Sequence, residues 1–236
     1  MYEQRLDSVV ADLAWLSPDM MLFGAGVLSL YLDQSDVADD LRPTEDVDAM
    51  LRLSGFGDRP AQVVVRGVEK ELREHGWSPD LRPHRRNPYA YISPSNVAVD
   101  FVFAELCPPD DWVVFARQTA IEHRLSSGRI VRIPTPALFL VCKAEASRNP
   151  ERWEGAYDSH DIEDIALLMG GCSVLAESLK TAPPEAAQYL SAWAQELLAG
   201  ATTYGQQAYA SLEGNWPRQV SSSRIDDLLH AMASLA

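Results

Sequence analysis

The chain has 236 residues, of which 47% are apolar, and its 34 Asp and Glu residues outnumber its 20 Lys and Arg residues, so the formal net charge is −14. This composition supports a substantial core and excludes a uniformly basic, nucleic-acid-wrapping surface. Residues 1–6 are polar, and the longest strongly apolar stretch, 137–142, is too short to cross a bilayer. We therefore expect a cytoplasmic protein with no membrane partner. The three scattered cysteines argue against a disulfide framework.

The first sixty residues alternate short apolar segments with polar turns. Apolar residues at helical spacing after Tyr2 predict an amphipathic helix. Small residues at 24–26, directly after an apolar segment, are typical of a turn that opens a helix. We predict a helix over 2–16, a second helix over 24–32, a polar loop over 33–43, a strand over 46–53 and a glycine turn over 55–57.

The chain then changes character at Pro134-Thr135-Pro136. Before this point, a helix is followed by short apolar segments between turn residues, as in hairpins. After it, a good N-cap and a good first helical residue introduce a mainly helical pattern. We predict a helix over 61–75, strands over 77–82, 89–92, 97–104, 120–125 and 129–133, and helices over 136–148, 159–170, 173–180, 184–199 and 224–235. The fold class is α+β, with a mixed α/β domain over 1–133 and an all-helical domain over 134–236.

Three aspartates stand out from their surroundings. Asp46 and Asp48 are two residues apart at the start of a predicted strand, so their side chains point to the same face. Asp100 lies inside the apolar run 97–103, where an isolated carboxylate is costly unless it is paired, neutralised or metal-bound. The alternatives are a solvated Asp-x-Asp turn for the pair, and a salt bridge to a local arginine for Asp100.

A divalent metal ion relieves the repulsion between neighbouring carboxylates. If the strands that carry Asp46, Asp48 and Asp100 are neighbours in one sheet, the three side chains converge into an oxygen-rich site suited to Mg²⁺. Two such ions, about 4 Å apart, would activate an attacking oxygen and neutralise a departing pyrophosphate. The aspartates therefore predict a metal-dependent enzyme that acts on phosphates.

Other charged residues each allow two interpretations. Lys143, flanked by apolar residues in a predicted helix, reaches either an acid such as Asp161 or Asp164, or a triphosphate. Basic residues gather over 66–86, as either a solvated face or a local phosphate-binding wall. The turn at 24–26 lacks the Walker A and dinucleotide-binding patterns, although a helix that begins there would offer N–H groups to phosphate.

The order of these motifs resembles the minimal nucleotidyltransferase superfamily, of DNA polymerase β type, and more narrowly the AbiEii-type toxins and related nucleotidyltransferases. The resemblance covers about residues 22–169 and implies a mixed sheet flanked by helices, followed by a helical region. The matching segments are Leu22-Phe23-Gly24-Ala25-Gly26, Arg42-x-Thr44-x-Asp46-x-Asp48, Asp100, Lys143 and His160-Asp161-x-x-Asp164. The Arg-x-Thr-x-Asp-x-Asp segment is the most specific of them.

The resemblance implies a role for each matched residue. Asp46, Asp48 and Asp100 would be the catalytic and metal-binding residues, and Asp100 would also help to activate the acceptor hydroxyl. The nucleotide-binding residues would be Gly24, Ala25, Gly26, Arg42, Thr44, Lys143, Asp161 and Asp164. The chain departs from the superfamily at Ala25, where the phosphate-contacting serine is absent, and at His160, where Lys or Arg is common.

The expected activity is the transfer of a nucleoside monophosphate from a nucleoside triphosphate to an acceptor hydroxyl, with Mg²⁺ as cofactor. The acceptor is left open among an RNA 3′ end such as that of tRNA, a protein hydroxyl and a small molecule such as an aminoglycoside, and so is the nucleotide, ATP included. The resemblance also implies a toxin–antitoxin or phage-defence setting with a cognate antitoxin or toxin protein. The rival hypothesis is a binding or regulatory protein on the same fold with weak catalysis.

Overall fold

The computed structural model describes residues 2–16, 20–33, 35–42, 44, 46–52, 61–83, 87–153 and 157–235. The predicted turn over 55–57 and the basic residues 84–86 lie outside these ranges. The chain forms two compact units, one of Met1–Val27 and Pro43–Pro134 and the other of Leu28–Arg42 and Thr135–Ala236. The predicted division at residue 133 differs from this arrangement in residues 28–42, which belong to the second unit.

Among the described residues, the strands all lie before Thr135, and the residues after it are mainly helical. The strands are β1 (Met20–Phe23), β2 (Asp46–Leu51), β3 (Ser78–Pro79), β4 (Ala90–Ile92), β5 (Ala98–Phe103), β6 (Ile121–Arg124) and β7 (Ile130–Ile133). The α-helices are α1 (Tyr2–Asp12), α2 (Ser35–Ala38), α3 (Ala61–Glu74), α4 (Trp112–Gln118), α5 (Pro136–Ala146), α6 (His160–Gly171), α7 (Leu175–Lys180), α8 (Pro184–Ala199), α9 (Thr203–Gly214) and α10 (Ser223–Ala233). The predicted α+β class is confirmed.

The first unit is built on a five-stranded mixed sheet with the order β1-β2-β5-β4-β3. Strands β2 and β5 run parallel, and the other neighbouring pairs are antiparallel. A parallel pair needs a long crossover connection, which the chain supplies between β2 and β5 as α3 and the β3–β4 pair. A separate two-stranded sheet joins β6 and β7, as predicted.

The two faces of the five-stranded sheet differ in polarity because side chains alternate along each strand. One face carries buried apolar residues such as Val47, Val99 and Phe101. Helix α3 contacts this face, since the hydroxyl of Tyr91 in β4 donates a 3.1 Å hydrogen bond to Glu69 of α3. The opposite face carries the aspartates of β2 and β5.

The second unit consists of helices packed around apolar residues. Thr135 caps α5 by accepting a hydrogen bond from the backbone N–H of Leu138, and Pro136 is the first residue of the helix, as predicted. Helices α5 and α6 are buried on almost all sides. Segment 28–42 belongs to this unit because Leu32 and Val37 lie against Gly171, where a Cβ would fall 2.7–2.8 Å from their side chains. Across the described residues, each helix is too short or too polar to cross a lipid bilayer.

Two segments near residue 30 differ from the sequence predictions. The predicted helix over 24–32 is a shorter 3₁₀ helix over Ala25–Leu30, and the predicted loop over 33–43 contains the short helix α2. Helices α4 and α9 were not predicted from the sequence. A side chain caps the N-terminus of each of these helices. Asp111 accepts a hydrogen bond from the N–H of Val113 at 2.8 Å, and Thr202 accepts one from the N–H of Gly205 at 2.9 Å.

Candidate active site

Asp48 and Asp100 are lateral neighbours in the sheet of the first unit. The register of the parallel pair β2–β5 sets Asp48 against Asp100 and Asp46 against Ala98. Lateral partners point to the same face, and Asp46 shares that face because it lies two residues before Asp48. All three aspartates are half-buried. The strands that carry them are therefore neighbours, as the predicted site requires.

Gly24 packs directly against the carboxylate of Asp48. A Cβ on Gly24 would lie 1.8 Å from Oδ2 and 2.6 Å from Cγ of Asp48, and the φ of Gly24 is +71°. Both the positive φ and the close approach require glycine at this position. Gly26 is less constrained, because a Cβ there would meet its nearest atoms, the backbone oxygen of Asp46 and a methyl carbon of Leu6, at 3.7 Å.

Thr44 supports the start of β2. Its hydroxyl donates a 3.3 Å hydrogen bond to the backbone oxygen of Asp46. The guanidinium of Arg5 in α1 donates to the backbone oxygen of Thr44. Ala25, the next residue after Gly24, begins the 3₁₀ helix and is half-buried. The structure thus shows a structural contact for Thr44, and nucleotide binding by Gly24, Ala25, Gly26 and Thr44 stays a prediction.

The three aspartates fit Mg²⁺ by chemical type and by strand position. Carboxylate oxygens are the ligands that this ion prefers, and the register of Asp48 and Asp100 offers two of them side by side. Within the part of the chain that the structure describes, no group of three or more His, Cys, Asp or Glu side chains is arranged to hold a metal ion. Metal binding by Asp46, Asp48 and Asp100 together therefore stays a prediction.

Lys143, in the second unit, is held by two buried acids. Its ammonium lies 2.6 Å from Oδ2 of Asp164 and 3.1 Å from Oδ1 of Asp161. Arg152 completes the cluster, with its Nε 2.7 Å from Oδ2 of Asp161. Burial alone would lower the pKa of Lys143, but Asp164 and Asp161 outweigh it and raise that pKa. Of the two interpretations of Lys143, the contact with acids is the one observed. Nucleotide binding by Lys143, Asp161 and Asp164 stays a prediction.

Arg42 also has an acidic partner in the second unit. Its Nε lies 3.2 Å from Oε2 of Glu163, and the same oxygen lies 3.4 Å from Nδ1 of His160. Glu163 lies between the two acids of the predicted closing motif, so its contact with Arg42 was missed. No local pattern in the sequence signalled this pair, because its two residues are 121 positions apart.

A second arginine pair, in the first unit, was also missed. Asp80 directly follows β3, and its side chain is 2% exposed. The guanidinium of Arg82 donates hydrogen bonds to this carboxylate. Its Nε lies 2.9 Å from Oδ1 and 3.0 Å from Oδ2, and its Nη2 lies 2.6 Å from Oδ2. In the sequence, Arg82 stands out only as one of the basic residues over 66–86, and Asp80 was not among the predicted site residues. The available signal was an acid two residues before an arginine in a predicted strand.

No family model and no curated protein matches the sequence. Among solved structures, the chain is similar to an antigenic nucleotidyltransferase-like protein from Paracoccidioides brasiliensis, with a TM-score of 0.52 and 17% sequence identity. The similarity covers 89% of this chain and 92% of that chain. At this level of identity the likeness shows the fold. The chain therefore has a nucleotidyltransferase-like fold.

Proposed function

We propose that the protein is a Mg²⁺-dependent nucleotidyltransferase that moves a nucleoside monophosphate from a nucleoside triphosphate to an acceptor hydroxyl. The observation that supports this proposal best is the lateral pairing of Asp48 with Asp100, with Asp46 on the same face, in a nucleotidyltransferase-like fold. The close approach of Gly24 to Asp48 adds to it, because the small-residue turn lies directly against one of these carboxylates.

The proposed role of each aspartate follows from its position in the sheet. Asp46 and Asp48 on β2 and Asp100 on β5 would hold Mg²⁺, which neutralises charge on the reacting phosphates when bound. The acceptor oxygen would form a bond to the α-phosphorus while the bond from that phosphorus to pyrophosphate breaks. The electron pair of the broken bond leaves with pyrophosphate, and Asp100 takes the proton of the acceptor hydroxyl.

We also propose an AbiEii-type role in a toxin–antitoxin or phage-defence system, on the strength of the segment from Arg42 to Asp48. Such a toxin would slow bacterial growth when expressed without its partner. Controlled expression of the wild-type chain should arrest growth, whereas expression of Asp48→Asn at the same level should not. Equal growth of both cultures would contradict the toxin role and leave the transfer activity to be judged by itself.

The transfer activity is tested with nucleoside triphosphates that carry a radioactive α-phosphate, each supplied separately with Mg²⁺. The intact chain is incubated with total RNA or alone, and labelled products are separated on a gel. We expect label in one acceptor class with the wild type and none with Asp48→Asn. Release of pyrophosphate is followed in parallel, so that a small-molecule acceptor in a cell extract is also detected. Absence of both signals for all four nucleotides would overturn the proposal.

The second candidate function is a nucleotide-binding or partner-binding protein without transfer activity. The presence of Ala25 in the turn favours it, because a methyl group cannot donate a hydrogen bond to phosphate. Calorimetric titration with a nucleoside triphosphate and Mg²⁺ distinguishes the two. A binder without activity would take up nucleotide in the titration and release no pyrophosphate.

A further inference from the structure

We infer that helix α1 positions the proposed metal site and that Arg5 is a positioning residue for Asp46. This inference rests on the proposed function, because it concerns the same aspartates. Helix α1 ends at Asp12, before the resemblance to nucleotidyltransferases begins at about residue 22, so the resemblance assigns it no role. Three observations support the inference: the place where the β1–β2 ladder ends, the contacts that α1 makes there, and the anchoring of α1 at its two ends.

The first observation is that Asp46 lies beyond the end of the β1–β2 ladder. The last register partners of that antiparallel pair are Phe23 and Asp48, so the ladder stops two residues short of Asp46. On the other edge of β2, Asp46 is the register partner of Ala98, the first residue of β5. In the described sheet, Asp46 is therefore the first residue of its strand and is paired on one edge only. Strand ends open more easily than strand centres, so contacts from outside the sheet decide how well Asp46 is fixed.

The second observation is that two consecutive residues of α1 reach this edge of β2. The guanidinium of Arg5 donates a hydrogen bond to the backbone oxygen of Thr44, and the Thr44 hydroxyl donates one of 3.3 Å to the backbone oxygen of Asp46. Leu6 is 1% exposed and lies on the far side of Gly26. A Cβ on Gly26 would be 3.7 Å from both a methyl carbon of Leu6 and the backbone oxygen of Asp46. Helix α1 thus reaches the backbone of Asp46 by one polar and one apolar route.

The third observation is that α1 is anchored on both sides of Arg5. In its first two turns, Glu3 accepts a hydrogen bond from the backbone N–H of Ser126, in the turn between β6 and β7. Asp7 pairs with Nη1 of Arg129, at 2.8 and 2.9 Å from its two oxygens. These contacts fix the start of the helix to the β6–β7 hairpin.

The other end of α1 is fixed to the turn between β4 and β5. Asp12, the last residue of the helix, accepts a 3.0 Å hydrogen bond from the backbone N–H of Ser95. Arg5 lies between this anchor and those at the hairpin. A side chain on an anchored helix holds its partner more precisely than one on a free loop. The bond from Arg5 to Thr44 therefore gives the start of β2 a fixed reference.

The three aspartates depend on α1 to different degrees. Asp48 and Asp100 are paired with each other, and their outer register partners, Phe23 and Ala90, pair them on the other edge as well. Asp46 has no such second partner in the sheet. Mg²⁺ prefers near-ideal octahedral geometry with ligands at about 2.1 Å, so a carboxylate that is displaced or loosely held contributes little to its binding. Loss of the Arg5 guanidinium should therefore weaken metal binding while Asp48 and Asp100 stay in place.

The test measures metal binding to the full chain with no nucleotide present. Mn²⁺ is the probe, because carboxylate sites that suit Mg²⁺ also suit Mn²⁺ and because free Mn²⁺ gives an electron paramagnetic resonance signal that broadens on binding. The variant Asp48→Asn defines which part of the binding belongs to the site. Arg5→Met removes the guanidinium and keeps an unbranched side chain, and Arg5→Lys keeps a charge and a donor. Urea unfolding verifies that each variant is folded.

Arg224→Met is the matched control for Arg5→Met. Nη2 of Arg224 donates a 3.4 Å hydrogen bond to the backbone oxygen of Cys172, so the control removes the same charge and the same kind of contact in the second unit. Thr44→Val is a second test variant, because it removes the hydroxyl that connects Thr44 to Asp46 and leaves the Thr44 backbone oxygen for Arg5.

We expect Arg5→Met to bind Mn²⁺ about tenfold more weakly than wild type, as when an outer partner of a metal ligand is removed, and Arg224→Met to stay within about twofold. Arg5→Lys should recover part of the affinity. Thr44→Val should weaken binding in the same direction, and the double variant of Arg5→Met with Thr44→Val should be no weaker than the weaker single variant, because both interrupt one path. Additive losses would overturn this path from Arg5 to Asp46.

The direction of the change separates positioning from two other roles. Removal of a positive charge by itself strengthens the attraction of carboxylates for a cation, so tighter Mn²⁺ binding by Arg5→Met would overturn the inference. A lower unfolding free energy with wild-type Mn²⁺ affinity would show that Arg5 only stabilises the fold, and would overturn it too. If Arg5→Met does not fold, Thr44→Val decides, and wild-type Mn²⁺ affinity in that variant would contradict the inference.

Failure of this inference and failure of the proposed function give different results. If wild type and Asp48→Asn bind Mn²⁺ equally, the proposed metal site is wrong and the inference fails with it. If Asp48→Asn loses Mn²⁺ binding and Arg5→Met retains it in full, the metal site stands and only the role of Arg5 is wrong.

Discussion

Gly24 lies directly against the side chain of Asp48, although the two residues are 24 positions apart in the sequence. A Cβ on Gly24 would overlap Oδ2 of Asp48, and the φ of +71° is costly for any residue that has a Cβ. The antiparallel pairing of β1 with β2 sets Phe23 against Asp48, so the residue that follows β1 must pass this carboxylate. The small-residue turn is therefore needed to make room for Asp48.

The variant Gly24→Ala should damage both stability and activity. The positive φ costs about 1–3 kcal/mol for a residue with a Cβ, and relief of the overlap must move the Asp48 carboxylate. A shift of about 1 Å at a reacting group lowers the rate about 100-fold. Urea unfolding and nucleotide transfer measure the two effects.

Gly26→Ala is the matched control for Gly24→Ala. Its new Cβ would meet its nearest neighbours at 3.7 Å, an ordinary van der Waals distance, so we expect near wild-type stability and an undisturbed Asp48. Equal behaviour of the two alanine variants would show that the contact between Gly24 and Asp48 does not matter for the site.

The sequence predicted the parts of the site that depend on local periodicity. Asp46 and Asp48 are two residues apart in a strand, and Asp100 interrupts an apolar run, so both strands and the shared face of Asp46 and Asp48 could be read from spacing alone. The predicted site required β2 and β5 to be neighbours, but their pairing could not itself be predicted. The order of strands in a sheet depends on the path of the whole crossover connection. Its observed register brings Asp100 beside Asp48.

The contacts that the sequence did not predict join residues that are far apart in the chain and meet only in the folded protein. Arg42 pairs with Glu163, 121 residues later, and no local pattern specifies such a partner. Helix α9 was missed because only one of its four buried residues, Gly205, Ala208, Ser211 and Leu212, is large and apolar, which gives a weak apolar period.

Lys143→Met should strongly destabilise the protein. Asp164 is 3% exposed and would lose the ammonium that lies 2.6 Å away, whereas Asp161 would keep Arg152. Removal of one member of a buried ion pair costs about 3–5 kcal/mol. Urea unfolding near pH 8 measures the loss. Lys180→Met is the control, because its side chain is 71% exposed and its ion pair with Glu177 is worth less than about 1 kcal/mol.

Because of the same ion pairs, the unfolding free energy should fall at alkaline pH. The pKa of Lys143 is raised in the folded protein above its unfolded value of about 10.4. Its contribution is therefore complete below about pH 10.4 and is lost as the pH rises through the folded-state pKa. The difference in unfolding free energy between wild type and Lys143→Met should shrink in that range. A constant difference would contradict the assignment.

Thr44→Val tests whether Thr44 supports β2 or binds nucleotide. Loss of the hydrogen bond from the Thr44 hydroxyl to the Asp46 backbone should cost about 0.5–1.5 kcal/mol of unfolding free energy. Thr44→Ser retains the hydroxyl and should behave as wild type. A rise in KM for the nucleotide with unchanged unfolding free energy would instead assign Thr44 to nucleotide binding.

Tyr209 should titrate at unusually high pH. Its hydroxyl donates a 2.8 Å hydrogen bond to Oδ1 of Asp226, and this bond, together with burial, raises the pKa of Tyr209 to about 12. Because the folded pKa exceeds the unfolded value of about 10, the contribution of Tyr209 to stability is complete below pH 10 and is lost between about pH 10 and pH 12.

The ultraviolet absorbance difference between wild type and Tyr209→Phe isolates this one tyrosinate. Asp226→Asn should move its midpoint back toward about 10. An unmoved midpoint would show that burial, and not Asp226, sets the pKa of Tyr209.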